Sequence, residues 1–197
     1  MGKAKGHVDV DEIRIELPKM NIQTVIIKLV GDSPLISHRW SSKAKTMMLD
    51  KQMGKAKAAK EKKDPEKDFK ECLYEFPGGG YGFPSIAFKS AAVGACSHVD
   101  GVTKVVARGA FHINGELVKI IGKPTPRVDM VRNQTGVADI RYRAEFRKWS
   151  AEFEVRHNAN VLTAEQVVNL FNTAGFSIGV GDWRPAKNGS YGMFHVE

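Results

Sequence analysis

Residues 175–194 interleave five glycines with Trp183, Arg184, Lys187 and Tyr191. Glycine reaches positive φ and lets a backbone approach another molecule closely, because no Cβ intervenes. Gly179 and Gly181 would bare their amides, Arg184 and Lys187 would add charge, and Trp183 and Tyr191 would offer flat faces. Such a loop suits closure over a phosphodiester backbone. The same pattern also serves a tight turn before a last core strand at 191–196, and one loop can do both.

A second group lies between residues 123 and 149. Arg127, Arg132, Arg141, Arg143, Arg147 and Lys148 alternate with Met130, Tyr142, Phe146 and Trp149. Arginine forks phosphate oxygens, while aromatic and methionine side chains stack on bases or wedge between them. On an alternating strand Arg141, Arg143, Glu145 and Arg147 share one face, with Tyr142, Phe146 and Lys148 on the other. Asp129 and Asp139 bracket this region and suit charge pairing with the arginines better than acid–base chemistry.

A third group is lysine-rich. Lys43, Lys45, Lys51, Lys55, Lys57, Lys60, Lys62 and Lys63 face only Asp50 and Glu61 across 43–63, most of the chain's net charge of +8. A solvated helix face explains such a run. So does a basic finger that neutralises phosphates. Just before it stand His38, Arg39 and Trp40. His38 is the one residue with a credible catalytic role, as a general acid or base near neutral pH. Turn capping or phosphate contact are its other uses.

Several chemistries lack their residues. The six histidines have no ligand spacing, and HExxH, paired Cys–His and DxDxDG patterns are absent, so no metal or cofactor is expected. GxxxxGK[ST] and GxSxG are also missing. Cys72 and Cys96 are the only cysteines, which fits a reducing cytoplasm. No apolar run reaches membrane-span length, so no membrane partner is expected.

The elements that must carry these groups follow from periodicity. Residues 22–30 read as a buried strand closed by Gly31-Asp32-Ser33-Pro34. Residues 41–76 form a basic helical insertion, and 123–140 a hairpin insertion stiffened at its base by Pro124 and Pro126. A helix opens at Phe83-Pro84-Ser85, with Ile86, Phe88, Ala91, Ala92, Ala95 and Val99 on one face. Strands are expected at 102–113 and 117–121, joined by a hairpin at Asn114-Gly115. One long strand covers 138–157. A helix follows Thr163 as N-cap and ends at Gly175. Without the insertions the order is strand, helix, strand, strand, helix, strand within a single domain spanning 1–197. That is an α+β, ferredoxin-like or RRM arrangement whose second sheet face is left open to bind nucleic acid.

Three of these segments carry a family resemblance. Ser33-Pro-Leu-Ile-Ser-His-Arg39 is similar to the turn after the first strand of the RAMP superfamily of CRISPR effector proteins. Phe83-Pro-Ser-Ile-Ala-Phe-Lys-Ser-Ala91 resembles the start of its first helix, with Lys89 a binding candidate. Ile178–Arg184 and Gly189–Gly192 resemble its C-terminal glycine-rich loop. The chain most resembles the backbone subunits, and a phage-borne or stand-alone relative also fits. The resemblance implies sequence-independent binding of single-stranded nucleic acid, guide RNA above all, and head-to-tail self-association beside other effector subunits. It makes the hairpin a thumb that touches a neighbour. The loop departs from the family in its Asp182-Trp183-Arg184-Pro185 version, and no residue matches the aspartate of RNA-cleaving members. The competing expectations are a metal-independent endoribonuclease using His38, and a phage protein that coats single-stranded DNA.

Overall fold

In the computed structural model, which describes residues 17, 19–56, 63–132 and 136–197, the β-formers at 22–30 make strand β1 (Ile22–Gly31). A short β2 (Leu35–Ser37) follows. The insertion then holds α1 (Ser42–Gln52), α2 (Pro65–Glu71) and β3 (Tyr74–Glu75). Beyond it come β4 (Tyr81–Pro84), α3 (Ser85–Ala95), α4 (Lys104–Ala110), β5 (Phe111–Ile113) and β6 (Leu117–Ile121). The chain ends with β7 (Pro124–Arg132), β8 (Ala138–Phe146), β9 (Ser150–Asn158), α5 (Ala164–Ser177) and β10 (Phe194–Val196).

The protein is α+β. Its larger sheet has seven strands, ordered β10-β1-β9-β6-β4-β3 with β5 also on β9, and every pairing is antiparallel. Helices α3 and α5 cover one face. Their buried Phe88, Ala91, Ala95, Val167, Leu170 and Phe171 meet Ile27, Leu29, Phe153 and Val155 of the central strands. Ring contacts of 5.4 Å between Phe88 and Phe153 and 5.6 Å between Phe153 and Phe171 knit the layers, and each buried Phe contributes about 1.5–3 kcal/mol. Thr163 and Gln166 close a capping box at the start of α5. The opposite face of β1 and β9 carries Thr24, Ile26, Lys28, Glu152, Glu154 and Arg156, all exposed. Two of these are acidic and none is aromatic, so on these two strands the face expected to bind nucleic acid offers no ring to stack on a base.

A second, three-stranded sheet is ordered β2-β8-β7. Its register sets Arg127 opposite Arg143 and Asp129 opposite Arg141. Lacking amide hydrogens, Pro124 and Pro126 fit the edge strand β7. Helix α2 ties the insertion to this sheet: Cys72, its C-cap, hydrogen-bonds the Tyr142 carbonyl, and Lys63 ion-pairs with Asp139.

Four expectations need correction. Residues 104–110 are helical rather than extended. Thr103 caps that helix through the Val106 amide, and Ala107 and Ala110 bury its inner face, while Val105 and Val106 are exposed. Asn114-Gly115 turns no hairpin. β5 and β6 run along the same strand β9, Ile113 opposite Val155 and Ile120 opposite Ala151, with a bulge between them. The bulge carbonyls fix the start of α3, because Gly115 accepts from Ser85 Oγ (2.6 Å) and Glu116 from the Ser85 amide (2.9 Å). The long strand at 138–157 is two strands in two sheets. The chain changes sheets at Trp149, whose indole donates to the Ser33 carbonyl and whose own carbonyl accepts from Gly31. Helix α5 runs on to Ser177, with Gly175 inside it against the Phe194 backbone, and the last strand is only Phe194–Val196.

Candidate nucleic-acid interface

The two sheets, α3 and the glycine loop meet at a cleft of about 420 Å³. Its wall takes His38 from the end of β2, Tyr74 from β3, Ile86, Ala87 and Ser90 from α3, and Gly179–Asp182 with Arg184 from the loop.

The loop is held by its own chain. The Asp182 amide donates to Ile36 O (3.1 Å), the Gly192 amide to Pro34 O (2.8 Å) and the Val180 amide to Gly192 O (2.9 Å). At Gly181, φ is +81° and a Cβ would lie 2.6 Å from Ile36 O. At Gly192, φ is +64° and a Cβ would lie 1.7 Å from Val180 O. These glycines permit close approach, as their pattern requires, but what approaches is the protein's own backbone.

Two of the hairpin's arginines, Arg127 and Arg143, face inward. Arg143 is 7% exposed and binds Asp129 (3.1 Å) and Asp182 (2.9 Å). Arg127 binds Asp129 (2.9 Å) and Glu145 (2.8 Å), and Arg147 reaches Glu145 (3.2 Å). The Arg143 guanidinium lies 5.6 Å from the centre of the Trp183 ring, and that of Arg127 lies 4.8 Å from Tyr191. Trp183 is held at φ +58°, and its carbonyl accepts from the Tyr191 amide. Ion pairs and ring contacts thus clamp the loop to the hairpin. Sequence reasoning placed Arg141, Arg143, Glu145 and Arg147 on one strand face; Arg143 and Glu145 are buried there, while Arg141 and Arg147 stay exposed.

Asp182 joins the two halves of the site. Its Oδ2 meets both Arg143 Nε and His38 Nδ1, the latter at 3.3 Å. Burial would raise its pKa, but the hydrogen bonds from His38 and Arg143, with the Arg143 charge, hold it below the usual carboxylate range. Burial pushes the Tyr74 phenol up, aided by Asp182 against Arg39, so it stays protonated at neutral pH. Burial likewise raises the Cys72 thiol to about 11, which makes it unreactive. Asp182 and Tyr74 were missed as site residues. Only the resemblance of the loop carried a signal for the aspartate, and nothing marked the tyrosine.

The remaining candidates scatter around this cleft. Arg39 is anchored, its amide on Cys72 O (3.1 Å), and Trp40 is 54% exposed. Lys43, Lys45 and Lys51 stand on α1, which is capped by Ser41 and buries no residue. Lys55 pairs with Asp50 (2.9 Å). Lys57, Lys60 and Lys62 lie outside the described residues. Lys89 meets His112 Nδ1 at 3.1 Å and faces the Phe111 ring, and burial lowers its pKa. Arg132 and Met130 are exposed towards the hairpin tip, and Arg141 pairs with Asp139 (3.0 Å). Arg184 donates to Gly181 O (3.0 Å), and Lys187 is exposed on the 3-10 turn Pro185–Lys187. Among the described residues there is no cluster of three metal-ligating side chains, and no helix is long and apolar enough to cross a membrane.

No family profile matches the chain, and a comparison with characterised proteins finds no match. Among solved structures it is similar to the crystal structure of Cmr6 from Pyrococcus furiosus. That match has 11% identity and a TM-score of 0.47, covering 91% of this chain and all of that one. It is also similar to a chain in the cryo-EM structure of the Type III-B Cmr-beta complex bound to cognate target RNA. There the identity is 10% and the TM-score 0.48, over 89% of this chain and 59% of the other.

Proposed function

We propose that the protein binds single-stranded RNA through sequence-independent contacts, as a repeating, non-catalytic subunit of a CRISPR-effector-like ribonucleoprotein. One observation carries the reading. A basic helix that buries nothing follows the cleft wall closely in the chain: β2 ends, His38 lines the cleft, and three residues later Ser41 caps α1. Such a helix adds nothing to the core, whereas a row of lysines beside a cleft suits a polyanion. The strand order, with β1 and β9 central and β10 and β6 outside them, supports the ferredoxin-like reading. In this reading the strand crosses Trp40, Lys45, Arg184 and Lys187, and Arg127 and Arg143 shape the loop rather than touch phosphate.

The hairpin supplies the contact to the next copy. Its outer face exposes Val128, Met130 and Ile140. A heterologous contact of this kind repeats along a template. Particle mass measured across a length series of oligonucleotides should therefore rise in steps, with RNA bound better than DNA of the same sequence. A monomer at every length would remove the repeating-subunit reading, and equal affinity for DNA would favour the phage coat-protein alternative.

The contact between His38 and Asp182 favours one second reading. An aspartate on Nδ1 orients an imidazole for proton transfer, so a metal-independent endoribonuclease has a structural basis. Structured RNA incubated with the protein in EDTA should remain intact. Site-specific cleavage abolished by His38→Ala would establish the enzyme instead.

A further inference from the structure

Strand β1 is open along most of one edge. β9 pairs with it from Ile22 to Val30, but on the other side β10 meets only Leu29, Val30 and Gly31. Among the described residues no strand takes the remainder, residues 22–28. The Glu197 amide donates to the Lys28 carbonyl (3.0 Å), so the backbone groups of Lys28 turn towards this edge. By the alternation of a strand, those of Thr24 and Ile26 turn the same way. A groove of about 530 Å³ lies where β10 stops, between its end and α5. Val168 and Val196 line it half-buried, Asn169 and Asn172 add side-chain amides, and Glu165 and Glu197 stand exposed around them. An unpaired edge accepts a further strand, and alternate side chains of that strand enter the neighbouring groove.

The chain has a second open edge. β7 is the outer strand of the smaller sheet, and Pro124 and Pro126 blunt only its first half. Beyond them Val128, Met130 and Arg132 share one exposed face, while Arg127 and Asp129 on the other are held by their own subunit. We propose that residues 22–28 of β1 receive β7 of a second copy, Val128 and Met130 entering the groove and Arg132 meeting Glu165 and Glu197. The groove sets valines within an acidic rim, and the strand is apolar with a basic end, so polarity and charge agree. Donor and acceptor edges belong to different sheets, which makes the contact heterologous and repeatable. The proposal rests on the repeating-subunit reading and adds to it the surface that receives the hairpin.

The test uses the full chain, with uridine-only RNA in molar excess so that copies share a molecule of RNA only if they attract one another. Native mass spectrometry should then find several wild-type copies on one long RNA. Thr24→Pro removes an amide from the open edge and leaves the ladder to β9 intact, and Val128→Asp brings a charge against the valines and acids of the groove. Each variant alone should carry one copy per RNA. Mixed in equal amounts they should give two copies and no more, because one keeps the strand and the other keeps the edge. Arg132→Glu, an exposed change, should also reduce sharing, and Glu165→Arg with Glu197→Arg in the same chain should restore it. Sharing that persists in either variant overturns the pairing and leaves the repeating-subunit reading standing; if it is Val128→Asp that has no effect, another strand fills the edge. A charge swap that restores nothing overturns it as well. Single copies already in wild type remove both the pairing and the repeating-subunit reading.

Discussion

The hairpin and the lysine helix are the two most basic regions of the chain, and the fold treats their charges in opposite ways. On the hairpin, Arg127 and Arg143 are matched by Asp129, Glu145 and Asp182, turned inward and pressed on aromatic rings. On α1, Lys45 and Lys51 are exposed on a helix with no buried side. A carboxylate two residues away on the same strand face, as Asp129 is to Arg127 and Glu145 to Arg147, marks an arginine already spoken for. In the lysine run Lys55 pairs with Asp50 and Lys63 with Asp139, while Lys45 and Lys51 stand exposed on α1. Position relative to the nearest carboxylate, more than the count of cations, separates a folding device from a binding surface.

The comparison breaks most sharply at Arg143. Arg143→Ala leaves Asp129 and Asp182 facing each other without their shared cation in a largely buried place. Removing one partner of a buried ion pair costs about 3–5 kcal/mol. Urea unfolding should show a loss of this order, with the glycine loop losing its anchor at the same time. A loss below about 1 kcal/mol would show that the hairpin arginines are as expendable to the fold as surface charges, and the contrast with α1 would disappear.

How far the sequence reveals this differs between core and site. β1 was legible because β-formers run unbroken to a Gly-Asp-Ser-Pro stop, and α5 because Thr163 reads as an N-cap ahead of a clear apolar face. The helix at 104–110 was hidden: Val105 and Val106 imitate a strand but point to solvent, while the burial is done by Ala107 and Ala110. The bulge at Asn114-Gly115 has hairpin chemistry, yet β9 pairs with both flanking segments and overrides it. At the site, His38, Arg184 and the loop were visible as residue types. That Asp182 bridges Arg143 and His38 was not, because residues 39 and 144 apart come together only through the pairing of β2 with β8.

A smaller effect sharpens the role of Asp182. Its folded-state pKa lies below the unfolded value, so its charge stabilises the fold above the unfolded carboxylate pKa of about 3.9. That contribution is lost as pH falls through the folded pKa. Asp182→Asn should therefore lower stability at pH 7 but narrow the gap to wild type as pH falls below about 4. Stability curves from about pH 7 to 2.5 decide this, and parallel curves would mean that Asp182 does not titrate with folding.

The smallest expected change in stability belongs to the lysines, and it should accompany a clear change in binding. Lys45, Lys51 and Lys55 lie on or just after α1, and the exposed Lys55–Asp50 pair is worth little in water. Replacing all three with Gln keeps good helix formers, so unfolding should shift by no more than about 0.5 kcal/mol. If each lysine neutralises a phosphate, each loss removes roughly 0.7 from the slope of log affinity against log salt for a single strand. The triple variant should then bind every sequence more weakly by the same factor, with a slope shallower by about 2. The same titration on Arg127→Gln should leave the slope where it was, even if affinity drops, because that cation is already matched by Asp129 and Glu145. A slope lowered by the arginine and untouched by the lysines would invert the comparison: the hairpin would be the phosphate-binding surface and α1 only a solvated face.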